Sequence, residues 1–257
     1  MTNKAHKRRR WRLLMFVPVL LAPFVISEVV GLARKSLLFE GPSRPAALID
    51  EVSDAVFEVD CAGNYYGSGW GLKLGDDYFV VTNEHVVTEC AESGFIRASN
   101  ALVGDFYLEM VSLDGRYWLS TALGYRDLAL LAASKEIPTL KFQSTEPEIG
   151  QWVAVFGFPG SFFEVDGISV TQGNLSGVDP SGLLLTDAAI NNGNSGGPVV
   201  NSRGQVVGTA FASDEFDQSD NMGYLQGKTQ HCGLVFQCNA GQIIYQAPVG
   251  RIKFLSE

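Results

Sequence analysis

From residue 50 onward the apolar positions fall in short blocks broken by turn-forming clusters, and the blocks are rich in β-branched and aromatic residues. "DAVFEVD" (54–60), "DYFVVT" (77–82), "DFYLEMVSL" (105–113), "RYWLSTALG" (116–124), "QWVAVFGF" (151–158), "GISVTQG" (167–173), "GLLLTD" (182–187) and "QVVGTAF" (205–211) each read as a strand. The clusters "LGDD", "DGR", "DPSG" and "NSRG" between them carry the Gly, Asp and Asn of tight turns. Outside the N-terminal segment no long stretch shows a helical period. The pattern predicts an all-β sandwich or barrel and disfavours alternating βα units.

The pattern weakens at "SKEIPTLKFQSTEPEIG" (134–150), which holds two prolines. That break divides the β region into residues 48–135 and 145–257, each long enough for a small barrel. Residues 213–242, "SDEFDQSDNMGYLQGKTQHCGLVFQCNAGQ", read as a surface excursion ahead of a last strand, "IIYQAPV".

The N-terminus follows a different rule. A basic stretch, "KAHKRRRWR" (4–12), precedes "LLMFVPVLLAPFVI" (13–26), which carries no charge. This is the order of a secretory signal or an uncleaved anchor helix, assigned to residues 1–35. The apolar character runs on to Leu32, about 20 residues, enough to cross a bilayer. "GLA" (31–33) offers a small-x-small cleavage site. A buried amphipathic helix is disfavoured, because the run has no polar face. Both remaining readings export the rest of the chain, either secreted or anchored through that segment with the folded part outside the cytoplasm.

Export alters the charge balance. The 257-residue chain has a formal net charge of −9, but residues 1–35 hold 8 of its 19 Lys and Arg and 1 of its 28 Asp and Glu. The remainder has 11 basic and 27 acidic residues, a formal −16. Such a surface repels nucleic acid and suits neutral or basic partners, although solubility explains it equally well.

Four cysteines lie in the exported part, where they can be oxidised. Three connectivities are open. Cys232 and Cys238 are spaced to staple a small hairpin, which leaves Cys61 and Cys90 as the other preferred pair. Neither pair has CxxC spacing and the chain has three histidines, so no metal site and no cofactor is expected.

The densest chemical signal is "AAINNGNSGGPVV" (188–200), one serine among three glycines. Serine is a weak nucleophile until a base takes its proton and donors receive the oxyanion it creates. Glycines let consecutive N–H groups turn toward one point. Here those of Gly193 and Ser195 are the candidate oxyanion hole, with Gly196 and Gly197 expected to leave room for a substrate chain. "GNSGG" also fits the elbow of α/β-hydrolases, with Asp214, Asp217 or Asp220 and then His231 as partners. That setting requires a helix after the serine, and Pro198 followed by the hairpin "VVNSRGQVVG" stands there instead. The order His85, Asp127, Ser195 fits better. His85 follows an apolar strand in "VVTNEHVVTEC", and Asp127 opens one in "YRDLALLA".

At this point the chain resembles a known family. "VVTNEHVV", "RDLALL" and "TDAAINNGNSGGPVVNSRGQVVGTAF" are similar to the three motifs of trypsin-like serine proteases, in particular the HtrA (protease Do-like) branch; "VAVFGFPG" and "VTQGNLSGV" fall where that branch has its own signatures. The resemblance spans roughly residues 50–255. It implies two six-stranded antiparallel β-barrels with His85, Asp127 and Ser195 as a triad in the cleft between them. It further implies a serine endopeptidase acting on protein or peptide substrates, with Ala189 at the base of the pocket for the side chain before the scissile bond. An uncharged base favours small or medium aliphatic side chains there. Asn192 and the strand residues Thr209, Ala210 and Phe211 are the other expected substrate contacts. HtrA proteases usually carry a PDZ domain after the protease, and this sequence stops at Glu257 with none expected. Oligomeric state is left open. The alternative function is a protease-like binding module without turnover.

Overall fold

The computed structural model describes residues 40–61, 65–88, 90, 96–113, 127–159, 167–211, 223–232, 235, 237–239 and 242–244. The N-terminal segment 1–35, the strand expected at 116–124 and the acidic part of the 213–242 stretch lie outside these residues. No described helix is long and apolar enough to cross a membrane.

Six antiparallel strands close the first barrel: β1 (Val56–Cys61), β2 (Tyr65–Leu74), β3 (Asp77–Thr82), β4 (Ile96–Ser99), β5 (Phe106–Leu113) and β6 (Ala129–Ala133). Their order around the barrel is β1-β2-β3-β6-β5-β4. The second barrel is built from β7 (Trp152–Gly157), β8 (Ser169–Val178), β9 (Leu184–Thr186), β10 (Pro198–Val200), β11 (Val206–Phe211) and β12 (Gly223–Gln226). It closes in the order β10-β11-β12-β9-β8-β7. This is the all-β, two-barrel architecture that the strand pattern and the resemblance anticipate.

The strands where the two barrels meet are buried on both faces, and the period of two shows why. In β3 and β6, Val80, Ala129 and Leu131 point into the first barrel with Phe57 and Val59. Their neighbours Phe79, Val81, Leu128 and Leu130 point outward into a second cluster. That cluster includes Ala154, Phe156, Val200 and Val206 of the second barrel, so the outer faces of the two barrels share one core. Val153, Val155, Val199 and Val207 fill the second barrel's interior. Continuous apolar runs such as "YFVV" therefore serve two cores at once.

The segment between the barrels runs extended along both. Leu140 N–H donates to the Gly71 carbonyl of β2 at 2.8 Å, and Gln143 N–H donates to the Val206 carbonyl of β11 at 2.7 Å. Helix α1 (Pro45–Ser53) precedes β1 and buries Leu48 and Val52 in the shared core. Helix α2 (Glu84–Val87) follows β3, and α3 (Lys228–His231) follows β12.

The 213–242 stretch is not wholly a surface excursion. Gly223–Gln226 is β12, a full member of the second barrel paired with both β9 and β11. In α3, Lys228, Gln230 and His231 are buried, and Lys228 forms an ion pair with Glu146. Polarity misled the sequence reading, because these polar groups are buried with partners. β13 (Gln237–Asn239) and β14 (Gln242–Ile244) form a separate hairpin. Both preferred cysteine pairs are bridged, Cys61 with Cys90 and Cys232 with Cys238, at Cα separations of 5.1 and 5.5 Å.

Candidate active site

The first barrel supplies His85 and Asp127. β3 ends at Thr82, and Asn83 turns the chain into the single-turn α2, which carries His85. Asn83 does not cap its own helix. Its side chain instead donates to the Asp127 carbonyl at 2.6 Å. Asp127 is fully buried two residues before β6.

Each carboxylate oxygen of Asp127 has a partner on His85. Oδ1 accepts the His85 backbone N–H at 2.9 Å, and Oδ2 lies 2.5 Å from the ring Nδ1. A carboxylate beside Nδ1 holds the proton on that nitrogen and leaves the lone pair on Nε2. The imidazole is a third exposed, while the carboxylate has no exposure at all. A buried acid thus orients a ring that solvent and ligands can reach.

Ser195 belongs to the turn between β9 and β10 in the second barrel. Asn194 N–H donates to the Asn191 carbonyl at 2.9 Å, closing a tight turn in which Gly193 has φ +94°. Gly196 also has positive φ, +84°, and a Cβ there would lie 2.1 Å from the Ser68 carbonyl oxygen. A Cβ on Gly197 would lie 2.1 Å from the Phe156 carbonyl oxygen. The space that these two glycines leave is filled by the protein's own backbone, not kept for a substrate chain as expected.

Ser68 on β2 ties this turn to the first barrel. Its N–H donates to the Ser195 carbonyl at 2.8 Å. Its hydroxyl donates to the Gly193 carbonyl at 2.6 Å and accepts the Phe158 N–H at 2.8 Å. Gln226 of β12 makes the reciprocal tie, from the second barrel to Asp127. Neither residue was singled out from sequence. A serine set between two glycines, in "GSGWG", is a signal for Ser68; for Gln226 there is none.

The remaining expected contacts divide. Ala189 and Asn192 are exposed, and the Ala189 carbonyl accepts the Thr171 hydroxyl at 2.6 Å. Phe211 is buried with its ring centroid 6.1 Å from that of His85. Thr209 and Ala210 are 0 % exposed, and such side chains offer a substrate no surface. Both backbone groups of Ala210 are already bonded to the serine turn, to Gly196 and Gly197. The Thr209 hydroxyl lies inside, 3.1 Å from Trp70 Nε1 and 2.9 Å from His231 Nε2. His231 is therefore part of an interior network and not the serine's partner in a hydrolase elbow. Ile190, which the sequence reading passed over, packs over Gly223, where a Cβ would be 2.7 Å from its Cδ1.

A family model described as "Trypsin-like peptidase domain" matches residues 67–208, more than half of the chain. The chain belongs to the trypsin-like peptidase family. The matched region contains His85, Asp127 and Ser195. Among curated family relatives, a probable periplasmic serine endoprotease DegP-like protein of Pseudomonas putida is 34% identical over 149 residues, 54% of this chain. One of the same description from Chlamydia trachomatis is 34% identical over 150 residues, 56% of this chain. In both comparisons the match spans only 28% of the relative's own length. Among solved structures, the serine endoprotease from Yersinia pestis superposes with a TM-score of 0.57 at 25% identity, covering 77% of this chain and 70% of that one.

Proposed function

We propose that the chain is an exported serine endopeptidase acting through His85, Asp127 and Ser195. The observation that carries this reading is the double engagement of His85 by the buried Asp127 carboxylate, at 2.9 Å to the main chain and 2.5 Å to the ring. Neither contact is needed for a binding surface, whereas both are needed to hold an imidazole as a general base.

The steps follow from the proton positions. With Nδ1–H given to Asp127, the Nε2 lone pair takes the Ser195 hydroxyl proton as Oγ attacks the scissile carbonyl carbon. The carbonyl π pair moves onto oxygen, and the N–H groups of Gly193 and Ser195 receive that oxyanion. Collapse expels the amine, which leaves with the proton held on Nε2, and an ester to Ser195 remains. Water then repeats the sequence, releasing the acid and restoring the serine. Asp127 stays ionised and stabilises the imidazolium formed in each half.

Small and medium aliphatic side chains are the proposed preference before the scissile bond. Ala189 provides no charge for a lysine or arginine, and Ile190 makes the adjoining surface apolar. Export rests on the basic and apolar order of residues 1–35 and on relatives described as periplasmic.

Fluorophosphonate labelling tests the nucleophile, with Ser195→Ala as control. Reaction at Ser195 that is lost in the variant supports the protease. A folded wild type that neither labels nor cleaves peptides favours the binding module instead. An unbiased peptide library tests the pocket, and a dominant preference for Arg or Lys would remove the assignment of Ala189.

A further inference from the structure

We propose that Gln226 is a positioning residue for the triad, a clamp from the second barrel that fixes Asp127 and through it His85. The inference rests on the catalytic reading of the Asp127–His85 pair and extends it to a residue 99 positions away in sequence.

Gln226 is the last residue of β12 and has no exposed surface. Burying a primary amide is costly unless its donors and acceptor are bonded. Both ends of this one go to the same residue. The Gln226 Oε1 accepts the Asp127 N–H at 3.0 Å, and Gln226 Nε2 donates to the Asp127 carbonyl at 3.0 Å. Two antiparallel bonds to one residue's main chain fix its rotation as well as its position.

Among the described residues no strand ladder reaches Asp127. The β3–β6 ladder starts at the Thr82–Ala129 pair, two residues beyond Asp127. The Asp127 peptide groups are held instead by side-chain amides, those of Gln226 and Asn83. Asn83 directly precedes α2, so the same carbonyl is gripped from the barrel that carries His85 and from the barrel that carries Ser195. Gln226 also pairs with Thr209 across β11, and Ala210, the next residue on that strand, bonds Gly196 and Gly197. The amide therefore refers the acid's position to the strand that supports the serine turn. An uncharged side chain suits the task, because an ionic one would change the field at the Asp127 carboxylate. Of the other ionisable groups near the pair, Glu84 precedes His85 in α2 and His231 reaches β11 through Thr209.

The test uses the full chain with Gln226→Leu and Gln226→Met, which keep similar bulk and remove both bonds. Met adapts its shape where Leu does not fit. Loosening Asp127 weakens its support of the imidazolium, so that cation gives up its proton more readily. The expected result is a fall in kcat on the order of 10- to 100-fold at nearly constant KM. The acidic limb of the kcat/KM profile should move to lower pH, and the low-field proton resonance of His85 Nδ1–H should move upfield. A variant that loses thermal stability but keeps both the limb and the resonance would overturn the clamp and leave Gln226 a packing residue. The resonance needs no turnover. A wild type that cleaves nothing sinks the peptidase reading, while the resonance still decides the clamp.

Discussion

The hydroxyl of Ser68 donates to the carbonyl of Gly193 at 2.6 Å, joining a strand of the first barrel to the turn that presents Ser195. The same hydroxyl accepts the Phe158 N–H, so its removal takes a partner from two half-buried backbone groups at once. Ser68→Ala should destabilise the protein by about 1–3 kcal/mol in urea denaturation. It should also lower kcat more than it changes KM, because the Gly193 peptide loses its anchor beside the proposed oxyanion hole. Unchanged kinetics in a destabilised variant would confine Ser68 to a role in folding.

Thr209 gives a prediction of stability alone. The Gly227 carbonyl only accepts, so His231 Nδ1, 2.8 Å away, donates to it, and Nε2 of a neutral ring is then an acceptor. With a neutral ring the Thr209 hydroxyl donates to Nε2 while accepting from Trp70 Nε1, a chain in which each of these groups has a partner. Thr209→Val keeps the shape and leaves the indole N–H and the imidazole nitrogen without this partner. The cost should be about 1–3 kcal/mol by chemical denaturation. Thr209→Ser, which retains the hydroxyl, should lose distinctly less.

These two residues mark the limit of what sequence reading reaches. Strands with ordinary patterning were legible: "DYFVVT" is β3 residue for residue, and "QWVAVFGF" contains β7. β2 was passed over because its glycines argue against a strand. The fold imposes them, since a Cβ on Gly71 would lie 2.0 Å from the Pro138 carbonyl oxygen. α1 buries only Leu48 and Val52, too few positions to set a helical period. The triad candidates were legible because their motifs are local. Ser68, Gln226 and Thr209 act through partners far along the chain, and no local pattern records a partner. Thr209 was expected at the cleft, and its buried side chain bonds inward to Trp70 and His231, partners that no local pattern records.

A pH-dependent prediction concerns Glu58 on β1. Burial, opposed by Arg97 and assisted by Asp60 and Asp105, holds its carboxyl above the ordinary range. The folded state therefore binds that proton more tightly than the unfolded chain does. Ionised Glu58 costs stability above its folded titration range, and the cost fades as pH falls toward the unfolded value of about 4.3. Glu58→Gln should raise Tm near neutral pH, and the gain should shrink steadily toward about pH 4. Thermal melts across that range decide it, and a gain independent of pH would reject the assignment to ionisation.

The last prediction concerns the proposed pocket. Gly223 is not among the positive-φ glycines, so alanine there adds bulk without backbone strain. Its Cβ would fall 2.7 Å from Ile190 Cδ1 and 3.1 Å from the Ala188 carbonyl oxygen. The carbonyl is fixed in the main chain, whereas the isoleucine tip can move. Displaced from Gly223, it is expected to shift toward the space above Ala189. A narrower pocket penalises a leucine before the scissile bond more than an alanine. A lost methylene of room is worth about 1–3 kcal/mol, so the kcat/KM ratio of Leu to Ala substrates should fall on the order of tenfold. Competition between two peptides that differ only at that residue measures the ratio directly. An equal loss on both peptides would mean that Ile190 and Gly223 do not wall the pocket, and that the side chain before the scissile bond is read elsewhere.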